Sequence, residues 1–128
     1  MTPFLNDHEL LISAYSNFNA RHIDAVLETM HSDVDWPNGW EGGRVHGHDG
    51  VRDYWTRQWS LIDPHVEPVN FSTGESGRTI VTVHQVVRDL AGKLLVDQRV
   101  EHTYLIQDGL IRSMDIGESR ATESTTRA

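Results

Sequence analysis

Apolar residues recur at helical spacing through the first third of the chain and alternate through its last half, and between the two lies a stretch that keeps neither rhythm. Over residues 6–18, Leu11, Tyr15 and Phe18 fall at i, i+4 and i+7 with Leu10 and Ala14 beside them. That is one apolar helical stripe, with Tyr15 turned inward as packing or as a phenol in a pocket. Asn6 or Asp7 is placed to cap it, and Glu9 stands three after Asn6 as in a capping box. Asn19 to Arg21 should break the helix, because Asn tolerates the left-handed conformation. A second helix is predicted over residues 22–30 from Ile23, Val26, Leu27 and Met30, packed on the first as a hairpin. His31, Ser32 and Asp33 then read as a turn, followed by a short strand over residues 34–36 that Pro37 stops. Val51, Trp55, Trp59 and Ile62, flanked by Tyr54, predict a third helix with an aromatic face, ended by Asp63 and Pro64.

From residue 65 to residue 117 the pattern becomes strands over 66–73, 79–90, 94–106 and 110–116, separated by Gly74 to Gly77, Ala91-Gly92 and Asp108-Gly109. Glycine after a polar residue between two β-rich runs is a hairpin signal, so three hairpins in series make a curved antiparallel sheet. Helices first and strands after is the α+β arrangement, with the helices gathered on one face. On the third long strand Val96, Val100, His102, Tyr104 and Ile106 share a face, Gln98 being the exception, while Asp97, Arg99, Glu101 and Thr103 share the other. His102 therefore stands in an apolar row, where a histidine is either a hydrogen-bonded core residue or a functional one. The preceding strand is apolar on both faces, so either His84 or Gln85 looks toward the helices. A sheet buried on both sides implies a homodimer.

The irregular stretch, residues 33–50, holds Trp36, Asn38, Trp40, Glu41, His46, His48 and five glycines. Glycine lets backbone approach other groups closely and tryptophan offers a broad apolar face with one donor, which suits the wall of a small-molecule site. The alternative is a surface loop pinned to the core by two buried rings.

With 128 residues the chain is long enough for one domain with a real core, expected over residues 1–117 and followed by a disordered tail at 118–128 that has almost no apolar residue. A net charge of −8, with eleven Lys and Arg scattered rather than clustered, argues against nucleic acid and against anionic membranes. No apolar run is long enough to span a bilayer. The N-terminus lacks the pattern of a secretory signal and there is no cysteine, which gives a cytoplasmic reading and excludes thiol chemistry.

The segments AYSNFNARHIDAVLETMHSDVDW, GHDGVRDYW and VEHTYLIQDGLIRSMDI, in this order and at this spacing, resemble the nuclear transport factor 2-like superfamily in its SnoaL-like and ketosteroid isomerase-like branch. The resemblance runs from about His8 to Gly117. It implies a cone in which three helices close the concave side of a curved sheet around an apolar cavity, usually in a homodimer. Relatives include isomerases, epoxide hydrolases, cyclases, dehydratases and binding domains, so the fold does not settle the function. Where many of these enzymes carry an acid before an aromatic residue and Asp-Gly, this chain has His102, Tyr104 and Asp108-Gly109, which places His102 on the pocket wall. The general-base aspartate of ketosteroid isomerases corresponds to Asn38, and their oxyanion tyrosine falls nearer Ala14 than Tyr15. The Arg-Asp pairing of limonene epoxide hydrolases is not reproduced, since Asp97 and Arg99 lie on the opposite face as a surface or dimer-face pair.

The leading expectation is a cofactor-independent acid/base enzyme acting on a partly apolar small molecule. His102 would move the proton, Asn38 and Tyr15 would bind a carbonyl or enolate oxygen, and Asp115 would stand beside His102 if strand parity allows. Trp36, Trp40, Trp55 and Trp59, with His84 and Tyr104, would form the substrate walls, although Trp55 and Trp59 read first as core, with ligand stacking by one of them as the alternative. A non-catalytic binding module is the alternative, favoured by the amide at Asn38, which cannot act as a base. A metal site built from His46 and His48 with His31, His84 or His102 matches no established spacing, and none is expected.

Overall fold

The computed structural model describes residues 6–118. Two helices, α1 (Asp7–Asn19) and α2 (Ile23–Leu27), precede strands β1 (Met30–Pro37) and β2 (Arg44–His46). Helix α3 (Gly47–Trp59) follows, then β3 (Ile62–Thr73), a 3₁₀ turn (Glu75–Gly77), β4 (Thr79–Asp89), β5 (Leu94–Gln107) and β6 (Leu110–Glu118). The strands form one mixed sheet in the order β2-β1-β6-β5-β4-β3, antiparallel throughout except where β1 runs parallel to β6. The three expected hairpins are the β3–β4, β4–β5 and β5–β6 pairs. The helices pack on the concave face of this curved, unclosed sheet, giving an α+β cone. The expected disordered tail at 118–128 lies, apart from the backbone of Glu118, outside the described residues.

The start of α1 follows its sequence: the Asn6 side chain accepts from the Glu9 backbone N–H at 2.9 Å, satisfying one of the free donors of the first turn. Leu10, Leu11, Ala14 and Tyr15 are the buried stripe. The break after it works differently from expectation. Arg21, rather than Asn19, takes the left-handed conformation (φ 65°). Its guanidinium donates to the carbonyls of Phe18 and Pro64 and ion-pairs with Asp63. Asn19 instead uses its amide on the backbone of β3, donating to Val66 O at 2.8 Å and accepting from Val66 N–H at 2.9 Å.

Other boundaries also move. Helix α2 is a single short turn, and Met30 belongs to β1, so the segment read as a turn at His31, Ser32 and Asp33 is strand, paired with β6. Helix α3 begins at Gly47 and ends at Trp59, and Ile62 opens β3. Asp63 and Pro64 lie inside that strand instead of ending a helix. β3 is an edge strand, where a residue without an N–H is tolerated, and its register shifts between Pro68 and Asn70. At the last hairpin both Asp108 (φ 55°) and Gly109 (φ 76°) are left-handed, as a two-residue turn matched to strand twist requires.

The core joins Leu10, Leu11 and Tyr15 of α1 to Val51, Tyr54 and Trp55 of α3 over Val81, Val83, Val100, Tyr104, Ile111 and Met114 of the sheet. Among the described residues no helix is long and apolar enough to cross a membrane.

Candidate functional site

The mouth of the cone opens into a cavity of about 370 Å³. Ala14, Tyr15 and Phe18 of α1 line one side and Tyr54, Trp55 and Gln58 of α3 another. Trp36, Pro37, Gly39 and Trp40 close the β1 end, and the floor is the inward row of β5, namely Val96, Gln98, Val100, His102 and Tyr104. Trp36 meets Trp55 edge to face at 5.7 Å, so the aromatic walls brace one another.

At the deep end three polar side chains form one hydrogen-bonded chain. The Tyr104 hydroxyl donates to the Tyr15 oxygen at 2.7 Å, and the Tyr15 hydroxyl lies 2.8 Å from Nδ1 of His102. Tyr15 is buried and these are its hydrogen-bond partners among the described residues. A hydroxyl that accepts from Tyr104 has one proton to give, and its available acceptor is His102 Nδ1. Burial lowers the His102 pKa to about 4, so the ring is neutral at pH 7, and with Nδ1 accepting from Tyr15 its one proton belongs on Nε2. Burial likewise raises the pKa of both tyrosines, so both phenols stay protonated. Among the described residues, the polar side-chain atoms sealed from solvent without a partner are Gln58 Oε1 and Trp59 Nε1. His102 Nε2 is not one of them and has no protein partner among the described residues, so in this tautomer its N–H is a donor open to the cavity.

Tyr15, His102, Tyr104, Trp36, Trp40 and Trp55 are thus brought to one cavity, while the remaining expected site residues are not. Asn38 is buried under the β1–β2 loop, where its amide donates to Glu41 Oε1 at 3.0 Å and accepts from Glu41 N–H at 2.7 Å. It shapes a turn and does not line the cavity. Asp115 pairs across the sheet with Thr103, on the face away from His102, and takes Arg44 at 3.1 Å. His84 is on that same outer face, 2.6 Å from Asp97, so Asp97 is partnered by His84 rather than by Arg99. Gln85 is the β4 residue that faces inward. Trp59 stacks on Trp55 at 5.7 Å and meets Phe18 edge to face, with the Arg21 guanidinium 5.1 Å from its ring, so it braces α3 from behind the wall.

Two features escaped the sequence reading. Arg57 grips Glu41 with two N–H groups at 2.9 and 3.1 Å, and the Trp40 N–H reaches the Tyr54 hydroxyl at 3.3 Å, so the loop carrying Trp40 is tied to α3. The hydrogen bonds from Arg57 and then from Asn38 hold the Glu41 carboxyl down at about 2. The cavity also carries three amides, Gln58, Gln85 and Gln98, and no charged side chain among the described residues. Gln98 had a signal: it is the polar exception in the apolar row of β5. No group of three or more His, Cys, Asp or Glu among the described residues is placed to hold a metal ion.

Comparison with solved structures returns the same architecture. An NTF2-like protein of unknown function from Burkholderia pseudomallei superposes with a TM-score of 0.76 at 22% identity, over 95% of this chain and 97% of that one. TerC co-crystallised with polyporic acid gives 0.75 at 23% identity, over 92% and 95%. A Mycobacterium tuberculosis protein in complex with estradiol-17β-hemisuccinate gives 0.74 at 16% identity, over 89% and 94%. At these identities the likeness is one of fold. No curated protein matches the sequence. The sequence pattern of the SnoaL-like domain does match, over residues 12–114, a span that runs from α1 through the cavity-facing strands to β6. The chain belongs to the SnoaL-like domain family, within the nuclear transport factor 2-like superfamily.

Proposed function

We propose that the chain binds a largely apolar small organic molecule in the cone cavity and anchors an acceptor oxygen of that molecule, a carbonyl or an enolate, on His102 Nε2–H. The observation that carries this reading is the hydrogen-bonded chain joining Tyr104, Tyr15 and His102 Nδ1, which, run from Tyr104 toward the imidazole, leaves the open end of the ring a donor. Two of the similar folds were crystallised with organic ligands, which supports the same use of this cavity. A fixed donor in a mostly apolar cavity stabilises charge developing on a bound oxygen, the task of an oxyanion hole.

Turnover, where it occurs, is then driven by polarising that oxygen, in an isomerisation, cyclisation, dehydration or hydrolysis whose proton acceptor is water or the substrate itself. Removal of a proton by His102 Nε2 needs a lone pair that this tautomer lacks, and among the described residues no carboxylate lines the cavity to replace it. Binding without turnover needs nothing more than the same contacts.

The test compares 4-acetylbiphenyl with 4-ethylbiphenyl, which lacks the oxygen. The ketone binds more tightly to the wild type, and His102→Leu abolishes the difference. Equal affinities in the wild type, or an advantage that survives His102→Leu, refute the anchor.

A homodimer joined through the outer face of the sheet belongs to the same proposal, with Ile80, Thr82, His84 and Val86 of β4 as its half-buried row. A strict monomer by light scattering at micromolar concentration rules that out.

A further inference from the structure

The inward side chains of β4 and β5 meet in register as successive rungs: Val81 with His102, Val83 with Val100, Gln85 with Gln98, and Val87 with Val96. The polarity alternates from rung to rung. His102 is buried, Val100 is 8% exposed and Gln98 is exposed, so the row climbs from the floor of the cavity to its mouth. From Gln98 to His102 is four residues of one strand, roughly 13 Å between Cα positions.

At the upper polar rung, Gln98 Nε2 donates to Gln85 Oε1 at 3.3 Å. Each glutamine amide offers two N–H donors and one carbonyl acceptor. The bond between them therefore leaves both Gln85 N–H groups and the second Gln98 N–H as donors and the Gln98 carbonyl as an acceptor, side by side on the cavity wall. A group that accepts and donates at once fits that pair, as a hydroxyl or a carboxamide does. A carboxylate has no proton to give the Gln98 carbonyl. Among the described residues no Lys, Arg, Asp or Glu lines the cavity to partner a charged group, and an ion taken from water without a partner loses several kcal/mol of hydration.

We propose that the Gln85–Gln98 rung is a second ligand subsite, so that the molecule taken by this cavity is uncharged and elongated. It carries an acceptor oxygen at one end for His102, an apolar middle against Val100, and a hydroxyl or carboxamide at the other end for the glutamines. This rests on the reading of His102 as the anchor and adds the far end and the charge of the ligand to it.

Three rigid probes share the acetyl end and differ at the other: 4-acetylbiphenyl, 4-acetyl-4′-hydroxybiphenyl and 4′-acetylbiphenyl-4-carboxylate. Affinities are measured by calorimetry on the full chain. The hydroxyl compound binds the wild type about tenfold more tightly than the parent ketone, as two neutral hydrogen bonds allow, and the carboxylate binds most weakly. Gln98→Leu changes an exposed position and keeps the fold, and in it the hydroxyl advantage disappears. Gln85→Met, a second variant on the other strand, gives the same loss.

An unchanged preference in both variants, no preference in the wild type, or tighter binding of the carboxylate overturns the subsite. If the parent ketone still loses affinity on His102→Leu while the hydroxyl adds nothing, the anchor stands and the subsite falls. If no probe binds, both fall.

Discussion

The Tyr15 hydroxyl stands 2.8 Å from His102 Nδ1 and 2.7 Å from the Tyr104 hydroxyl, so one phenol on α1 joins the imidazole of β5 to a second phenol on the same strand. Tyr15→Phe removes the acceptor for Tyr104 and the donor for His102 while keeping the ring. Leaving buried polar groups unpaired costs about 1–3 kcal/mol, which urea unfolding reads directly. The sharper readout is ¹⁵N NMR of the imidazole. In the wild type His102 carries its proton on Nε2, and in Tyr15→Phe the Nδ1–H form becomes populated. A wild-type ring protonated on Nδ1 would reverse the polarity of the whole chain and remove the donor from the cavity.

Acid should destabilise the fold through the same residue. In the unfolded chain the imidazole takes a proton near its ordinary 6.5, whereas burial holds it neutral down to about 4 in the folded state. Between those values the unfolded state binds more protons, so stability falls as pH drops from about 6.5 to about 4. The gap between 6.5 and about 4 sets an upper bound of roughly 3.4 kcal/mol for the whole loss. Unfolding midpoints measured across that window for the wild type and for His102→Gln give the test: the wild type loses more stability than the variant. Parallel profiles would mean that His102 is not held neutral by burial.

Much of this arrangement was legible in the sequence, and the parts that were not share physical causes. The stripe of Leu11, Tyr15 and Phe18 and the alternation of Val100, His102 and Tyr104 placed Tyr15 and His102 on facing walls, because long periodic elements leave little choice of face. Parity alone could not choose between His84 and Gln85, since Val81, Val83, Val86 and Val87 make both faces apolar. Register with β5 decides it. Asn38 and Asp115 were misplaced for another reason: a loop turn and a short terminal strand carry no period, and their side chains are claimed by partners that periodicity does not show, Glu41 within the same turn for one and Arg44 across the sheet for the other. β2, three residues between glycines, is held by pairing with β1 and has no local signature.

The loop that carries Trp40 is held by Arg57, whose guanidinium takes both oxygens of Glu41. Because those hydrogen bonds keep Glu41 ionised down to about pH 2, the tie persists throughout the range in which His102 titrates. Arg57→Met frees the carboxylate from α3 and leaves the bond from Trp40 N–H to the Tyr54 hydroxyl tying this loop to that helix, beside the bonds within the loop itself. Amide hydrogen exchange over residues 38–43 should then speed up while global stability changes by less than about 1 kcal/mol, as expected for an exposed ion pair. Unchanged exchange in the loop would show that the backbone bonds of Asn38 with Gly42 and Gly43 suffice to hold it.

The position of Tyr15 depends in turn on how α1 is moored, and the mooring is Asn19. Its amide donates to Val66 O and accepts from Val66 N–H, completing both backbone groups of a residue that is 7% exposed at the inner edge of β3. Asn19→Ala leaves that N–H and that carbonyl without partners and should cost about 1–3 kcal/mol. Asn19→Asp discriminates the mechanism from mere loss of packing. A carboxylate still accepts from Val66 N–H but meets Val66 O with a second acceptor, so this near-isosteric change should also destabilise at pH 7 and partly recover as the side chain is protonated below its ordinary range near 4. Recovery in acid is opposite in sign to the loss expected from His102, which makes the double variant Asn19→Asp, His102→Gln the clean background for the measurement. If Asn19→Asp is as stable as the wild type at pH 7, Val66 O does not need its donor, and α1 is positioned by the packing of Leu10, Leu11 and Ala14 instead.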